Sequence, residues 1–202
     1  MSDFTDNSVG QRFISLIGNS HPYFKIHALG ASPRSAGKLY PDAVNWKLAD
    51  DIPEVVNGLT VRTCEPAGPF LECDVVFSGL DADVAGAIGM PSIQTSSANL
   101  EMAFLKANIP IFSNARNYRR AAHIPLVVPI VNTSHIVPLL ESQRRIYGLS
   151  KRGFMVTNAN CSTTGLVVPL KALQDKFGPF AKVSAVTMQA ISGAGTHFED
   201  VI

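Results

Sequence analysis

At 202 residues the chain can bury a sizeable core, as one domain or as one domain with part of another. Its 46% hydrophobic and 16% charged residues suit an ordinary globular protein, and a net charge of +1 gives no electrostatic case for nucleic acid or a membrane surface. The three cysteines, Cys64, Cys73 and Cys161, are an odd number without Cys-x-x-Cys spacing; this argues against a disulfide framework or a zinc site and fits a reducing compartment, the cytoplasm. No apolar run approaches the roughly 20 residues of a membrane-spanning helix. The acidic start, Met1-Ser2-Asp3-Phe4-Thr5-Asp6, lacks a signal-peptide core.

In chain order, the spacing predicts a helix over 9–17 stopped by Gly18, then a strand over 25–30 followed by the turn Ser32-Pro33-Arg34-Ser35. Residues 73–79 form a strand of near-continuous apolar character, as in a parallel sheet. A short helix over 81–88, a capped helix over 97–107 and strands over 110–113 and 125–131 follow. A helix over 134–147 ends at Gly148, with Arg144 and Arg145 where cations suit the helix dipole. An apolar strand over 153–157 and a helix closed by Gly178-Pro179 come next, then a strand over 182–192. This alternation predicts an α/β protein with a doubly wound, Rossmann-type, mostly parallel sheet. His123 and His135 have no Cys, His or acidic partner at ligand spacing, so no metal site is expected.

The chain turns on Asn158-Ala159-Asn160-Cys161-Ser162-Thr163-Thr164-Gly165. Cys161 is placed where a strand gives way to the first turn of a helix. Free backbone N–H groups and the positive end of the dipole there favour thiolate over thiol, and the same N–H groups can stabilise an oxyanion. A small buried cysteine beside a Ser/Thr cap is the plainer reading. Arg119 and Arg120 follow a strand. A guanidinium fork suits phosphate, whereas a solvated basic pair is the alternative.

These segments resemble the aspartate-semialdehyde dehydrogenases in their fungal and archaeal form. Asn158 to Gly165 is similar to the nucleophile motif of that family. Ala31-Ser32-Pro33-Arg34-Ser35-Ala36-Gly37-Lys38, Phe77-Ser78-Gly79-Leu80-Asp81-Ala82-Asp83-Val84-Ala85, Ser113-Asn114-Ala115-Arg116-Asn117-Tyr118-Arg119 and Gln189-Ala190-Ile191-Ser192-Gly193-Ala194-Gly195 agree in the same order. The resemblance implies an NADP-binding Rossmann-like domain over 1–158 and the beginning of an α+β catalytic and dimerisation domain over 159–202. It implies NADPH-dependent conversion of L-aspartyl 4-phosphate to aspartate 4-semialdehyde through a thioester on Cys161, within lysine, threonine and methionine synthesis.

By the same resemblance Arg119 binds the substrate phosphate, and Gln189 and Asn160 orient the substrate. Ser8, Val9, Ser32, Arg34, Ser35, Ser192 and Gly193 contact the cofactor. Arg34 with Ser32 and Ser35 favours a 2′-phosphate over a bare ribose hydroxyl, hence NADP over NAD. The partners implied are the small substrate, phosphate and, in the full-length family, a second copy of the subunit.

Both ends depart from the family. The strand and first glycine expected ahead of Ser8-Val9-Gly10 are not found, and the pattern breaks after Gly195, before the acid/base His and carboxylate-binding Arg of the family. The expectation is a chain truncated at both ends and inactive by itself. A truncated, non-catalytic paralogue that binds nucleotide or a full-length subunit stands as the alternative. A related phosphorylating dehydrogenase acting on glyceraldehyde 3-phosphate or N-acetylglutamyl phosphate fits the flanking motifs less well.

Overall fold

The computed structural model describes residues 8–80 and 100–188. The helix expected over 81–88, the first residues of the helix expected over 97–107, and Gln189, Ser192 and Gly193 lie outside the described residues. Helix α1 (Ser8–Gly18) runs as its apolar spacing predicts and stops at its glycine. Buried Gln11 was not foreseen: its Nε2 donates to the Asn45 carbonyl at 2.8 Å and its Oε1 accepts from the Lys47 N–H at 2.8 Å, tying a following loop to the helix.

Two parallel sheets follow. In the first, β1 (Leu29–Ala31) pairs with β2 (Val61–Thr63), with the one-turn helix α2 (Tyr40–Ala43) between them in sequence. In the second, β3 (Val76–Ser78), β4 (Ile111–Ser113), β5 (Leu126–Val127) and β6 (Met155–Asn158) lie in the order β3-β4-β6-β5. Helix α3 (Leu100–Lys106) precedes β4, α4 (Ile136–Tyr147) crosses from β5 to β6, and α5 (Cys161–Phe177) leaves β6. Gly148 caps α4 at φ 65°, the left-handed conformation that glycine adopts without a Cβ clash.

Alternation along β4 divides the second sheet into two faces. Ile111 turns inward with Phe104 and Leu105 of α3 and with Met155, in a core that also holds Phe70, Ile109, Tyr118 and Ile124. Phe112 turns the other way, stacks on Phe77 at 5.6 Å between ring centroids and meets Phe154 edge-on at 5.6 Å. Phe13 of α1 and Phe24 pack on the same Phe77 ring. A second cluster, Ala31, Tyr40, Val56 and Val61 with Ile14 and Trp46, supports the β1–β2 pair.

Several expected strands change, and the one over 73–79 contracts to β3. The strand over 25–30 contracts to β1, because residues 25–28 border a cavity of about 530 Å3 where no partner strand lies among the described residues. That cavity separates the β1 edge from residues 75–79. The strand over 125–131 contracts to β5, because Asn132 replaces a neighbouring strand: its Oδ1 accepts from the Val128 N–H and its Nδ2 donates to the Leu126 carbonyl, each at 2.8 Å. Pro129 has no N–H to continue a ladder. Of the strand expected over 182–192, residues 189–192 lie outside the described residues; residues 182–188 form no strand, pair with nothing among the described residues, and Val186 and Met188 are 93% and 99% exposed. An extended segment becomes a strand only against a partner, and none stands beside it among the described residues.

Gln143, fully buried on α4, holds the start of β6 in place. Its Nε2 donates to the carbonyls of Met155 (3.0 Å) and His123 (3.2 Å), and its Oε1 accepts from the Met155 N–H (2.7 Å). Gln143→Leu strips these partners from buried backbone groups. It is expected to lower stability by roughly 2–4 kcal/mol in urea denaturation, whereas a loss below about 0.5 kcal/mol would show that the clamp is dispensable.

Candidate active site

The chemistry-bearing loops gather at the carboxyl ends of β4 and β6, adjacent strands of the parallel sheet. Open parallel sheets place ligands at this edge, because the loops leaving the strands and the starts of the following helices converge there. Two residues, Ala159 and Asn160, separate β6 from α5, so Cys161 opens the helix and its side chain is exposed. Asn160 is the cap: its backbone is extended at φ −70° and ψ 163°, its Oδ1 accepts from the Thr163 N–H at 2.9 Å, and its carbonyl accepts from the Thr164 N–H at 2.9 Å. The cap thus serves the third and fourth positions, and the helix offers no acceptor to the N–H groups of Cys161 and Ser162. An anion at this turn meets both donors and the helix dipole.

Arg119 lies in the loop after β4, half-buried, with Nη2 donating to the Asn114 carbonyl at 2.7 Å. Its buried Nε has no acceptor among the described residues. Burial lowers the guanidinium pKa, and the field of Cys161 opposes that shift; the two groups are therefore within electrostatic range of one another. The loops are joined directly, since Asn158 Nδ2 donates to Asn114 Oδ1 at 2.8 Å. Asn114 and Asn158 carried no assigned role in the sequence reading, although both stand inside the motifs that drew attention. The resulting arrangement has a thiol at a helix start, unused N–H donors and a fixed cation, which is suited to attack on a carbonyl that bears an anionic leaving group.

The other cysteines are different chemically. Burial, then Glu101 and Glu65, pushes the Cys64 thiol up to about 12. Cys73 is also raised, by burial first and then by Asp74 and Glu72, with Arg152 opposing, and its Sγ donates weakly to the Pro69 carbonyl at 3.6 Å. Neither presents a thiolate near neutral pH.

The expected nucleotide contacts lie at two further places. Ser8 and Val9 form the first turn of α1, which presses on the end of β3: a Cβ on Gly79 would stand 2.9 Å from the Gly10 nitrogen. Glycine is required there by the close backbone approach. Ser32, Arg34 and Ser35 form the turn after β1, closed by N–H donation from Ser35 and Ala36 to the Ser32 carbonyl at 3.1 and 3.2 Å. Arg34 is exposed, whereas Ser35 is 2% exposed and belongs to the interior of the turn. Of that trio, Arg34 and Ser32 are accessible to a ligand. Among the described residues no three His, Cys, Asp or Glu side chains come together, and no helix is long and apolar enough to cross a membrane.

The sequence model of the family described as "Semialdehyde dehydrogenase, NAD binding domain" matches residues 7–138. The chain is 53% identical over 190 residues to the aspartate-semialdehyde dehydrogenase of Candida albicans, covering 93% of this chain and 48% of that protein. It is 53% identical over 189 residues to that of Cryptococcus neoformans, with the same coverage of 93% and 48%. The solved structure of aspartate semialdehyde dehydrogenase with NADP from Candida albicans aligns with a TM-score of 0.73 at 51% identity, over 87% of this chain and 46% of that one. The chain thus spans about half the length of the curated relatives it matches. These matches, with the α/β sheet they accompany, show that the chain belongs to the semialdehyde dehydrogenase family, on the side of the aspartate-semialdehyde dehydrogenases.

Proposed function

We propose that this chain carries the nucleotide-binding and nucleophile-bearing parts of an NADPH-dependent aspartate-semialdehyde dehydrogenase, which converts L-aspartyl 4-phosphate to aspartate 4-semialdehyde and phosphate. The observation that carries this reading is the exposed Cys161 at the start of α5, on a loop that Asn158 ties to Asn114, the residue whose carbonyl holds Arg119. The Cys161 thiolate attacks the acyl carbonyl, and the N–H groups of the first α5 turn receive the charge that develops on its oxygen. The carbon–oxygen bond to phosphate breaks, the phosphate leaves with that electron pair against Arg119, and a thioester remains on Cys161. Asn160 fixes the helix start that holds the sulfur.

The residues present fit the nucleotide at two points. The first turn of α1, brought against the sheet by Gly79, suits the pyrophosphate, and Arg34 with Ser32 suits a 2′-phosphate. When bound, NADPH supplies the hydride that reduces the thioester to the aldehyde. Gln189, Ser192 and Gly193 are assigned to substrate and cofactor by resemblance alone. The reaction serves lysine, threonine and methionine biosynthesis, and a free nucleophilic thiol suits the reducing cytoplasm.

Alkylation with iodoacetamide at neutral pH, followed by peptide mapping, is expected to label Cys161 ahead of Cys64 and Cys73. Inorganic phosphate should slow the labelling. In Arg119→Ala that protection should weaken by roughly 10–100-fold, the equivalent of one charged hydrogen bond. Preferential labelling of Cys64 or Cys73, or protection unchanged in the variant, would remove the basis of the reading.

Arg34→Ala is expected to lower affinity for NADPH by about tenfold or more while leaving NADH binding nearly unchanged. Fluorescence titration of both nucleotides against the two proteins decides this. Equal affinities in the unsubstituted protein would mean that the turn after β1 does not read the 2′-phosphate.

A further inference from the structure

Glu101 is an acidic residue on an otherwise apolar helix face. It stands three and four positions before Phe104 and Leu105, both core residues, and is itself fully buried. Its Oε1 accepts from the hydroxyls of Ser78 at 2.5 Å and Ser113 at 2.7 Å. Those serines are opposite one another at the ends of β3 and β4, so one carboxyl oxygen joins the carboxyl ends of two strands. Its second oxygen, Oε2, is buried and has no partner among the described residues. Burial raises the Glu101 pKa while the two hydroxyl bonds lower it, and its field in turn raises Cys64 and Tyr118. A buried carboxyl of this kind is poor as a stabilising element, since an apolar side chain of similar volume packs there without the desolvation cost.

The network beyond the serines gives it a role. Ser113 Oγ accepts from the Ala115 N–H at 3.1 Å, and the Asn114 N–H donates to the Ser78 carbonyl at 3.0 Å. The first residues of the loop after β4 are thereby held from both sides. Asn114 then accepts from Arg119 through its carbonyl and from Asn158 through its side chain, at 2.7 and 2.8 Å. Asn158 is two residues from the α5 cap. Among the described residues Glu101 makes no hydrogen bond to Arg119 or Cys161, and the bonds just described reach them through the loop that carries the guanidinium.

We propose that Glu101 is a positioning residue: through Ser78 and Ser113 it fixes the start of the loop after β4, and so sets where Arg119 stands relative to Cys161. The proposal rests on the reading of Arg119 as the anion-binding group, and it is tested without phosphate or turnover. The readout is the ratio of Cys161 alkylation rates with iodoacetate and iodoacetamide at low ionic strength. The anionic reagent senses the nearby guanidinium and the neutral one does not. Arg119→Ala sets the floor of that ratio.

Glu101→Met is expected to keep the melting temperature within a few degrees and to lower the ratio about threefold or more, towards the floor. Loss of a negative charge alone would raise the ratio, so a fall reports displacement of Arg119. Glu101→Gln, whose amide oxygen can still accept both hydroxyls, should stay within about twofold of the parent. Ser113→Ala, which keeps Glu101 and removes the link, should fall as Glu101→Met does and serves where the latter does not fold. A parent ratio at Glu101→Met or Ser113→Ala would overturn the proposal, as would a Glu101→Gln ratio as low as that of Glu101→Met. Failure of the functional reading is a separate result: phosphate protection absent in the parent protein while the ratios behave as expected.

Discussion

Ile111, Phe112 and Ser113 lie opposite Met155, Val156 and Thr157 in a parallel ladder, and the two loops that carry the chemistry leave it at the same end. One loop holds Asn114 and Arg119, and the other holds Asn158, Asn160 and Cys161. Their nearness follows from the pairing of two strands that are 42 or more residues apart in sequence, as in the Asn114–Asn158 bond, separated by 44. Because side chains alternate, a slip of one residue would turn Phe112 into the core and take Ser113 away from Glu101. The register is held by packing on both faces: Ile111 against Leu105 and Met155, Phe112 against Phe77 and Phe154. Gln143 adds a third constraint at the opposite end of β6. Site geometry and core packing are therefore one constraint in this chain.

The parts of the fold legible in the sequence are those specified by local signals. Helices α1, α4 and α5 are bounded by Gly18, Gly148 and Gly178, and the central strands β4 and β6 stand out as short apolar runs. Strand β2 was not foreseen. Val61-Arg62-Thr63 is three residues with a charge in the middle, and it becomes a strand only because β1 lies beside it. The converse case is residues 182–188, which have the composition of a strand and no neighbour among the described residues. Pairing is a long-range property that a local pattern does not carry. Side chains that replace backbone partners were equally hidden. Asn132, Gln143 and Gln11 each read as ordinary polar residues, yet each satisfies two or more backbone groups, Asn132 in the residues just before it and Gln143 and Gln11 in segments further along or back in the chain.

The candidate site divides in the same way. Cys161 and Asn160 were legible because a strand, a polar turn and a capped helix are adjacent in sequence. Arg119 acquired its place only through the β4–β6 pairing. Composition could not rank the three cysteines; burial does, by raising Cys64 and Cys73 while Cys161 is left at an exposed helix start. Glu101 did leave a trace in the sequence, as an acid at core spacing on an apolar helix. Such an acid invites the question of what it binds, and the answer, two serines on different strands, required the ladder.

Ser78 and Gly79 connect the two halves of the proposed chemistry. The Ser78 hydroxyl reaches Glu101 and its carbonyl holds Asn114, so this residue of β3 anchors the loop that carries Arg119. Gly79, its neighbour in the chain, carries the first turn of α1, where the nucleotide is proposed to rest. The first turn of α1 and the loop after β4 are thus fastened to successive residues at the end of one strand. In a close-packed interior a side chain added at Gly79 has to move α1 or β3, and β3 moves Ser78 with it. On the proposed function, a shift of the α1 turn and a shift of the Arg119 loop are consequently coupled through the backbone itself.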